Sequence, residues 1–377
     1  MKKFLTGILA ATLIFAAGCD THSGRSRKDV KLPQASEEPK SEPKEQVKNE
    51  IVVDGKKVKL DIDLYYENDE LMLGAKNIAD AIGATLTYTE GQNYIYMKRN
   101  LDYVSATVGE TRIYTSNGEA ELNVAPAVVD GVLVVPASML EESFDISCEL
   151  NEETGYVELE FSETEKQVQM KSIKEAYTDK DGNLLVSVDI AYPCLVNEKY
   201  PKAVSAVNKK MEEYAQQYLA EAKVNADDLE AEGIVPEENM ETTHELGYRV
   251  SYYDGEVICY YLSSYIYSGG AHGMPYAEGY TYSLKEDREL TAADLVDLQG
   301  AEVREFVQTQ FLKAYNSEDN RFFPGADEDI MSDTFAWKEY LAEDGYYFMV
   351  QPYALGPFSA GFIDCKVPVK EGVLKGN

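Results

Sequence analysis

Leu71-Met72-Leu73-Gly74-Ala75-Lys76-Asn77-Ile78 recurs later in the chain as Leu133-Val134-Val135-Pro136-Ala137-Ser138-Met139-Leu140. The match continues, with Ile82 falling on Phe144 and Tyr94-Ile95 on Tyr156-Val157. A repeat over residues 71–97 and 133–159 means one supersecondary unit used twice, each burying an apolar face that it cannot cover alone. Each unit reads as a short apolar strand, a turn, a short amphipathic helix and two alternating strands joined by a polar hairpin. In the first unit the helix spans residues 76–82, turns Ile78, Ala79 and Ile82 inward, and is closed by Gly83. The strands 85–89 and 94–98 flank Glu90-Gly91-Gln92-Asn93, a turn by composition. The pattern predicts an α+β fold in two domains. A repeated strand-helix-hairpin domain covers residues 51–165, and a larger domain of antiparallel sheet with packed helices covers 172–377.

Val53-Asp54-Gly55-Lys56-Lys57-Val58, Ile78-Ala79-Asp80-Ala81-Ile82-Gly83-Ala84, and Val129-Asp130-Gly131 leading into Val134-Val135-Pro136-Ala137 together resemble the copper amine oxidase N-terminal domain, also called a stalk domain. Gly74 stands where the second unit has Pro136, and Phe144-Asp145 replaces the Ile-Gly end of the first helix. The resemblance implies an extracytoplasmic spacer or wall-associated module. Copper ligation by imidazole is excluded here, because residues 51–161 contain no histidine.

The chain opens Met1-Lys2-Lys3, stays apolar from Phe4 to Phe15, and places Ala16-Ala17-Gly18 before Cys19. Residues 1–18 read as a signal peptide. The small residues before cysteine resemble the lipobox of bacterial lipoproteins, which implies lipidation of Cys19 and anchoring to the outer face of the cell membrane. Residues 19–50 carry Pro33, Pro39 and Pro43 among polar and charged residues and read as a disordered tether, with a reach on the order of 30 Å. No later stretch is long and apolar enough to span a bilayer. The formal charge of the chain is −32; the leader carries Lys2 and Lys3 and the tether has seven charges of each sign, so residues 51–377 carry −34 (−32 − 2). That charge repels nucleic acid and anionic lipid and attracts cationic proteins. Cys148, Cys194, Cys259 and Cys365 lack C-x-x-C spacing, which argues against zinc. Disulfides among them are permitted outside the cell, and the pairing is open.

The second domain begins with an alternating strand over 186–190 that ends at Tyr192-Pro193, followed by a helix from Pro201 to about Lys223. Val204, Val207, Met211, Tyr214, Tyr218 and Ala222 form one helical stripe, read as core. A tyrosine-rich hairpin turns at Asp254-Gly255 and ends in Ser268-Gly269-Gly270-Ala271-His272-Gly273. Thr291 begins a helix with Asp294 placed for a capping box, periodicity resumes from Val303 to Ala314, and two strands, 346–351 and 362–369, enclose Tyr353 to Gly361.

Tyr192-Pro193, the Gly-rich His272 loop, Leu290-Thr291-Ala292-Ala293-Asp294-Leu295 and Tyr353 through Gly361 resemble the DUF4163/DUF3298 pair. That pair occurs in lysozyme-sensing anti-sigma factors and as an accessory region in membrane-attached peptidoglycan deacetylases. An anti-sigma factor also needs a membrane span and a cytoplasmic segment, and the deacetylases add a catalytic metal domain; neither is read in this chain. The resemblance therefore implies the extracytoplasmic binding part, with a lysozyme-like muramidase or peptidoglycan as partner.

Catalytic motifs are sparse. His244-Glu245 lacks the second histidine of a zinc-hydrolase motif, and there is no G-x-S-x-G elbow or phosphate-binding loop. Asp179-Lys180-Asp181-Gly182-Asn183 starts like a calcium loop, but its glycine comes early and Ile190 stands where a glutamate ligand is needed, so an Asp-Gly hairpin turn is favoured. The expectation is a non-catalytic surface lipoprotein with no cofactor or metal. Its candidate binding residues are Tyr265, Tyr267, Ser268, Gly269, Gly270, His272 and Tyr353, with tyrosine supplying rigid contact area. The rivals are a peptidoglycan-modifying enzyme using His272 as acid or base, and a structural spacer of the envelope.

Overall fold

A computed structural model describes residues 46–236, 241–317, 321–372 and 374. The leader, Cys19 and the tether up to residue 45 lie outside the described residues. The expected tether does not extend to residue 50. Val47 N–H donates to Gly155 O (2.7 Å), Leu64 and Leu60 N–H donate to the carbonyls of Lys48 and Asn49 (2.7 and 2.9 Å), and Glu50 opens a strand. All of the side chains from Gln46 to Glu50 except Val47 are polar, so hydropathy hides a backbone that completes the domain's edge.

The repeat is longer than its apolar signal. Each copy has four strands, a helix and a hairpin. The first has strands Glu50–Val53, Lys56–Lys59, Tyr65–Glu67 and Glu70–Gly74, helix Ala75–Ile82, then strands Thr85–Thr89 and Tyr94–Arg99. The second has strands Arg112–Thr115, Gly118–Glu121, Ala127–Val129 and Val132–Pro136, helix Ala137–Phe144, then strands Ile146–Leu150 and Val157–Phe161. The equivalent strands Glu70–Gly74 and Val132–Pro136 pair antiparallel, with Leu73 opposite Val135. Each copy's closing hairpin joins the opening hairpin of the other. One junction is direct, through the parallel pairing of Glu50–Val53 with Val157–Phe161, and the other runs through an extra strand, Asp102–Thr107. Gly74 and Pro136 both hold extended backbone with φ near proline's fixed value (−65° and −70°), which explains how one replaces the other. The two helices bury Ile78, Ala79 and Ile82, and Met139, Leu140 and Phe144, in one core.

Beyond Ser162, which caps the short helix Glu163–Gln167 by accepting from Glu165 N–H, comes a six-stranded sheet. Its strands in spatial order are Val168–Thr178, Leu184–Leu195, Thr242–Tyr253, Val257–Tyr267, Met274–Ser283 and Arg288–Glu289. Only the second and third are parallel, and the helix Pro201–Glu232 makes the crossover between them. That helix runs past the expected end at Lys223, because Ala226 and Leu229 continue its inward face and Gly233, in left-handed conformation (φ 70°), closes it. The strand before it runs past Pro193 to Leu195, whose N–H and C=O both bond the Asn208 side chain (2.7 and 2.9 Å). The Asp179 turn is the expected hairpin: Asp179 Oδ1 accepts from Asp181 and Asn183 N–H (2.9 and 2.8 Å).

A second, three-stranded sheet holds Lys338–Ala342, Gly345–Val350 and Ile363–Val367. The first of these was not expected, since Lys-Glu-Tyr-Leu-Ala carries no strong alternation. Helices Val303–Tyr315 and Ala326–Met331 cover this sheet through Phe311, Val307 and Ile330. The expected capping box at Thr291 and Asp294 is present on Ala292–Leu295.

Candidate functional site

The residues singled out around the Gly-rich loop come together at one end of the sheet. The loop needs two consecutive left-handed residues, Gly269 (φ 90°) and Gly270 (φ 88°), a conformation that side chains resist. The flanking tyrosines pin it: Tyr267 OH donates to Gly270 O (3.2 Å), and Gly273 N–H donates to Tyr265 OH (2.8 Å). Ser268 is exposed where the loop begins. His272 Nδ1 lies 2.9 Å from Gly273 O, and because a carbonyl can only accept, Nδ1 carries the proton. Its Nε2 then accepts from Tyr353 OH (3.2 Å).

Two further residues build this site and were not among those singled out. Phe358 stacks on His272 with ring centroids 3.6 Å apart and planes at 13°. Gln351 fastens the Tyr353 loop to strand Met274–Ser283: its Oε1 accepts from Ala277 N–H (3.0 Å) and its Nε2 donates to Ala277 O (2.7 Å). Tyr353 itself sits at φ 68° and is half exposed. A tyrosine in the left-handed region is uncommon and is held there by its surroundings. The result is an open platform of three stacked or tilted rings, His272, Tyr353 and Phe358.

The other tyrosines of the cluster divide. Tyr248, Tyr252, Tyr260 and Tyr282 are buried in the core, Tyr265 and Tyr267 brace the loop, and Tyr353 supplies a ring of the platform. Cys148, Cys194 and Cys259 are unbridged. Cys259 is fully buried, its sulfur accepting from Thr281 Oγ1 (3.1 Å) and Leu341 N–H (3.3 Å). Among the described residues no group of three or more His, Cys, Asp or Glu is placed to hold a metal ion.

His244 lies elsewhere, buried on the strand Thr242–Tyr253. Its Nε2 is 3.1 Å from Asn225 Nδ2, and its Nδ1 has no hydrogen-bond partner. Burial lowers its pKa below 6.5, with Glu221 pulling weakly the other way. Between that lowered value and the ordinary one the unfolded chain binds the proton and the folded chain does not, so stability falls as pH falls below 6.5. Denaturation midpoints should therefore drop with acidification more steeply in the natural chain than in His244→Gln, by up to about 1.4 kcal/mol per pH unit. Equal slopes would show that His244 titrates normally.

Residues 52–159 match the family model of the copper amine oxidase N-terminal domain, and residues 179–275 match that of deacetylase PdaC. No curated protein matches the chain. Two solved structures of the DUF3298 family are similar. One, from Bacteroides fragilis, is 18% identical with a TM-score of 0.36 and covers 53% of this chain and 90% of its own. The other, from Pseudomonas aeruginosa, is 17% identical with a TM-score of 0.35 and covers 56% of this chain and 98% of its own. The chain thus joins a segment similar to the copper amine oxidase N-terminal domain to a segment similar to deacetylase PdaC.

Proposed function

We propose that this cell-envelope-related protein is anchored outside the cytoplasm through Cys19 and acts without catalysis, capturing a basic extracellular protein of the lysozyme class on the His272 platform. The observation that carries the reading is that both ring nitrogens of His272 are engaged, by Gly273 O and Tyr353 OH. What the site offers a partner is ring surface rather than a free base. The aromatic trio supplies rigid contact area, and a formal charge of −32 steers a cationic partner toward the chain. The two domain types support an envelope role.

Calorimetry of the purified chain with lysozyme should show binding that weakens with salt, and lysozyme activity should fall. Tyr353→Ala and His272→Ala should each weaken it about tenfold, or ~1.4 kcal/mol. No heat of binding at low salt would remove this partner. A muropeptide product that disappears in His272→Ala would establish an enzyme acting on peptidoglycan instead. Retention in the membrane fraction that is lost in Cys19→Ala checks the anchor.

A further inference from the structure

The opposite face of the same sheet carries a second concave surface. Side chains alternate along strand Val257–Tyr267, so Tyr265 and Tyr267 point to the His272 loop while Ser264 and Ile266 point to the long helix. Ser264 pairs with Tyr276 and Leu262 with Glu278, which places Tyr276 and Glu278 on the helix side as well. The helix contributes Tyr214, Gln217, Tyr218 and Glu221, spaced to form one face. Together these residues line a cleft of 340 Å³, at the small end of the roughly 300–1,000 Å³ range of small-molecule sites.

The lining is organised. Tyr218 is buried and held by donating to Glu245 O (3.0 Å). Glu278 accepts from Lys338 Nζ (2.7 Å) and Tyr276 OH (3.4 Å). Glu221, exposed at the mouth, accepts from Gln217 Nε2 (3.1 Å). The walls are therefore phenol rings with Ile266, and the polar groups are two carboxylates, an amide and the Ser264 hydroxyl. No lining residue is cationic, and Lys338 is already paired with Glu278.

Those features select a ligand class. An anion meets two carboxylates and no free cation. A wholly apolar ligand would strip water from the carboxylates without replacing it, at a cost. A lysine side chain gains little, because Glu278 is neutralised by Lys338 and Glu221 stands in water. A ring with a flat apolar face and a rim of hydroxyl donors satisfies both parts of the lining. We propose that this cleft is a saccharide subsite for a pyranose ring without negative charge, the ring lying on Tyr276 or Tyr214 and its hydroxyls donating to Glu221 and Glu278. It uses none of the His272 platform and stands or falls apart from protein capture.

Calorimetry and saturation-transfer NMR on the purified chain would use tetramers of N-acetylglucosamine, glucosamine, glucose and galacturonic acid. At least one of the first three should bind with a Kd in the millimolar range or tighter, and the galacturonic acid tetramer should not bind. Tyr276→Ala and Glu221→Gln should each raise that Kd about tenfold, with unchanged melting curves, while His272→Ala leaves it unaltered. The proposal is overturned if none of the three binds at about 10 mM, if the acidic tetramer binds as well as they do, or if both cleft variants bind normally. It is also overturned if tetralysine binds, loses affinity in both variants, and no sugar does, which would give the cleft to a protein side chain.

Discussion

Gly279→Ala should destabilise the C-terminal domain by about 3 kcal/mol, the upper end of what overpacking a core costs. Gly279 lies on strand Met274–Ser283, where the three-stranded sheet crosses over it. A Cβ built there would stand 2.2 Å from Glu339 O, 2.4 Å from Tyr340 Cβ and 2.8 Å from Tyr340 Cα. These are main-chain and Cβ atoms, so no change of rotamer relieves the clash. The crossing strand Lys338–Ala342 cannot slide alone either. Tyr340 stacks on Tyr347 at 4.8 Å, and Leu341 N–H donates to Cys259 Sγ at 3.3 Å. Relief requires the two sheets to part, which uncovers Tyr346 and Phe348. Trp337, the only tryptophan in the chain, immediately precedes the crossing strand and packs on Phe335, so its fluorescence reports this region. In urea the midpoint should fall with little change of slope, as for a loss of stability without a change in the surface exposed. A loss below about 1 kcal/mol would mean that the sheets are not in such close contact.

The close approach at Gly279 illustrates what the sequence does and does not make readable. Glycine in Ala277-Glu278-Gly279-Tyr280 breaks no strand period, and nothing local says that another backbone lies across it. Local chemistry was legible: the Gly83 cap, the Asp179 turn and the Thr291 capping box each depend on residues a few positions apart, and the repeat at Leu71 and Leu133 shows in the order of residue types alone. The first hairpins of the two repeats were not matched, because Glu50-Ile51-Val52-Val53 and Arg112-Ile113-Tyr114-Thr115 share only their inward positions. The Gly269-Gly270 turn and His272 announced a loop site, since two adjacent glycines signal unusual backbone and histidine signals chemistry. Phe358 and Gln351 did not, because each acts only on a partner brought close by the tertiary fold, His272 and Ala277. The cleft was hidden for the same reason. Tyr214 and Tyr218 lie on a helical stripe that reads as core, and Tyr218 is indeed buried. Their second role depends on Tyr276 and Glu278 from a strand far along the chain.

The junction between the domains gives a result of a different kind, in which a second substitution should repair the first. Gly247→Ala should cost about 2 kcal/mol, and Leu101→Ala placed in the same chain should restore about half of it. The turn Asn100-Leu101 between strands Tyr94–Arg99 and Asp102–Thr107 docks on strand Thr242–Tyr253. Asn100 binds Tyr248 as a neighbouring strand would, its Oδ1 accepting from the backbone N–H (2.7 Å) and its Nδ2 donating to the carbonyl (2.6 Å). Lys98 pairs with Glu245, and Arg249 with Asp102 (3.2 Å), on either side. A Cβ on residue 247 would meet Leu101 Cδ2 at 2.4 Å, Leu101 Cγ at 2.8 Å and Asn100 Oδ1 at 2.8 Å. All three are side-chain atoms, so the turn can yield, but yielding pulls Asn100 off Tyr248 and forfeits two hydrogen bonds worth about 1 kcal/mol each. Truncating Leu101 removes two of the three clashes and leaves only Asn100 Oδ1 to give way, which is why the pair should couple by about 1 kcal/mol in a double-mutant cycle read from unfolding midpoints. Additive losses would show that the turn does not press on Gly247. A coupled result would mean that the Asn100-Leu101 turn presses on strand Thr242–Tyr253 in the folded chain, so that each domain's stability depends in part on the other.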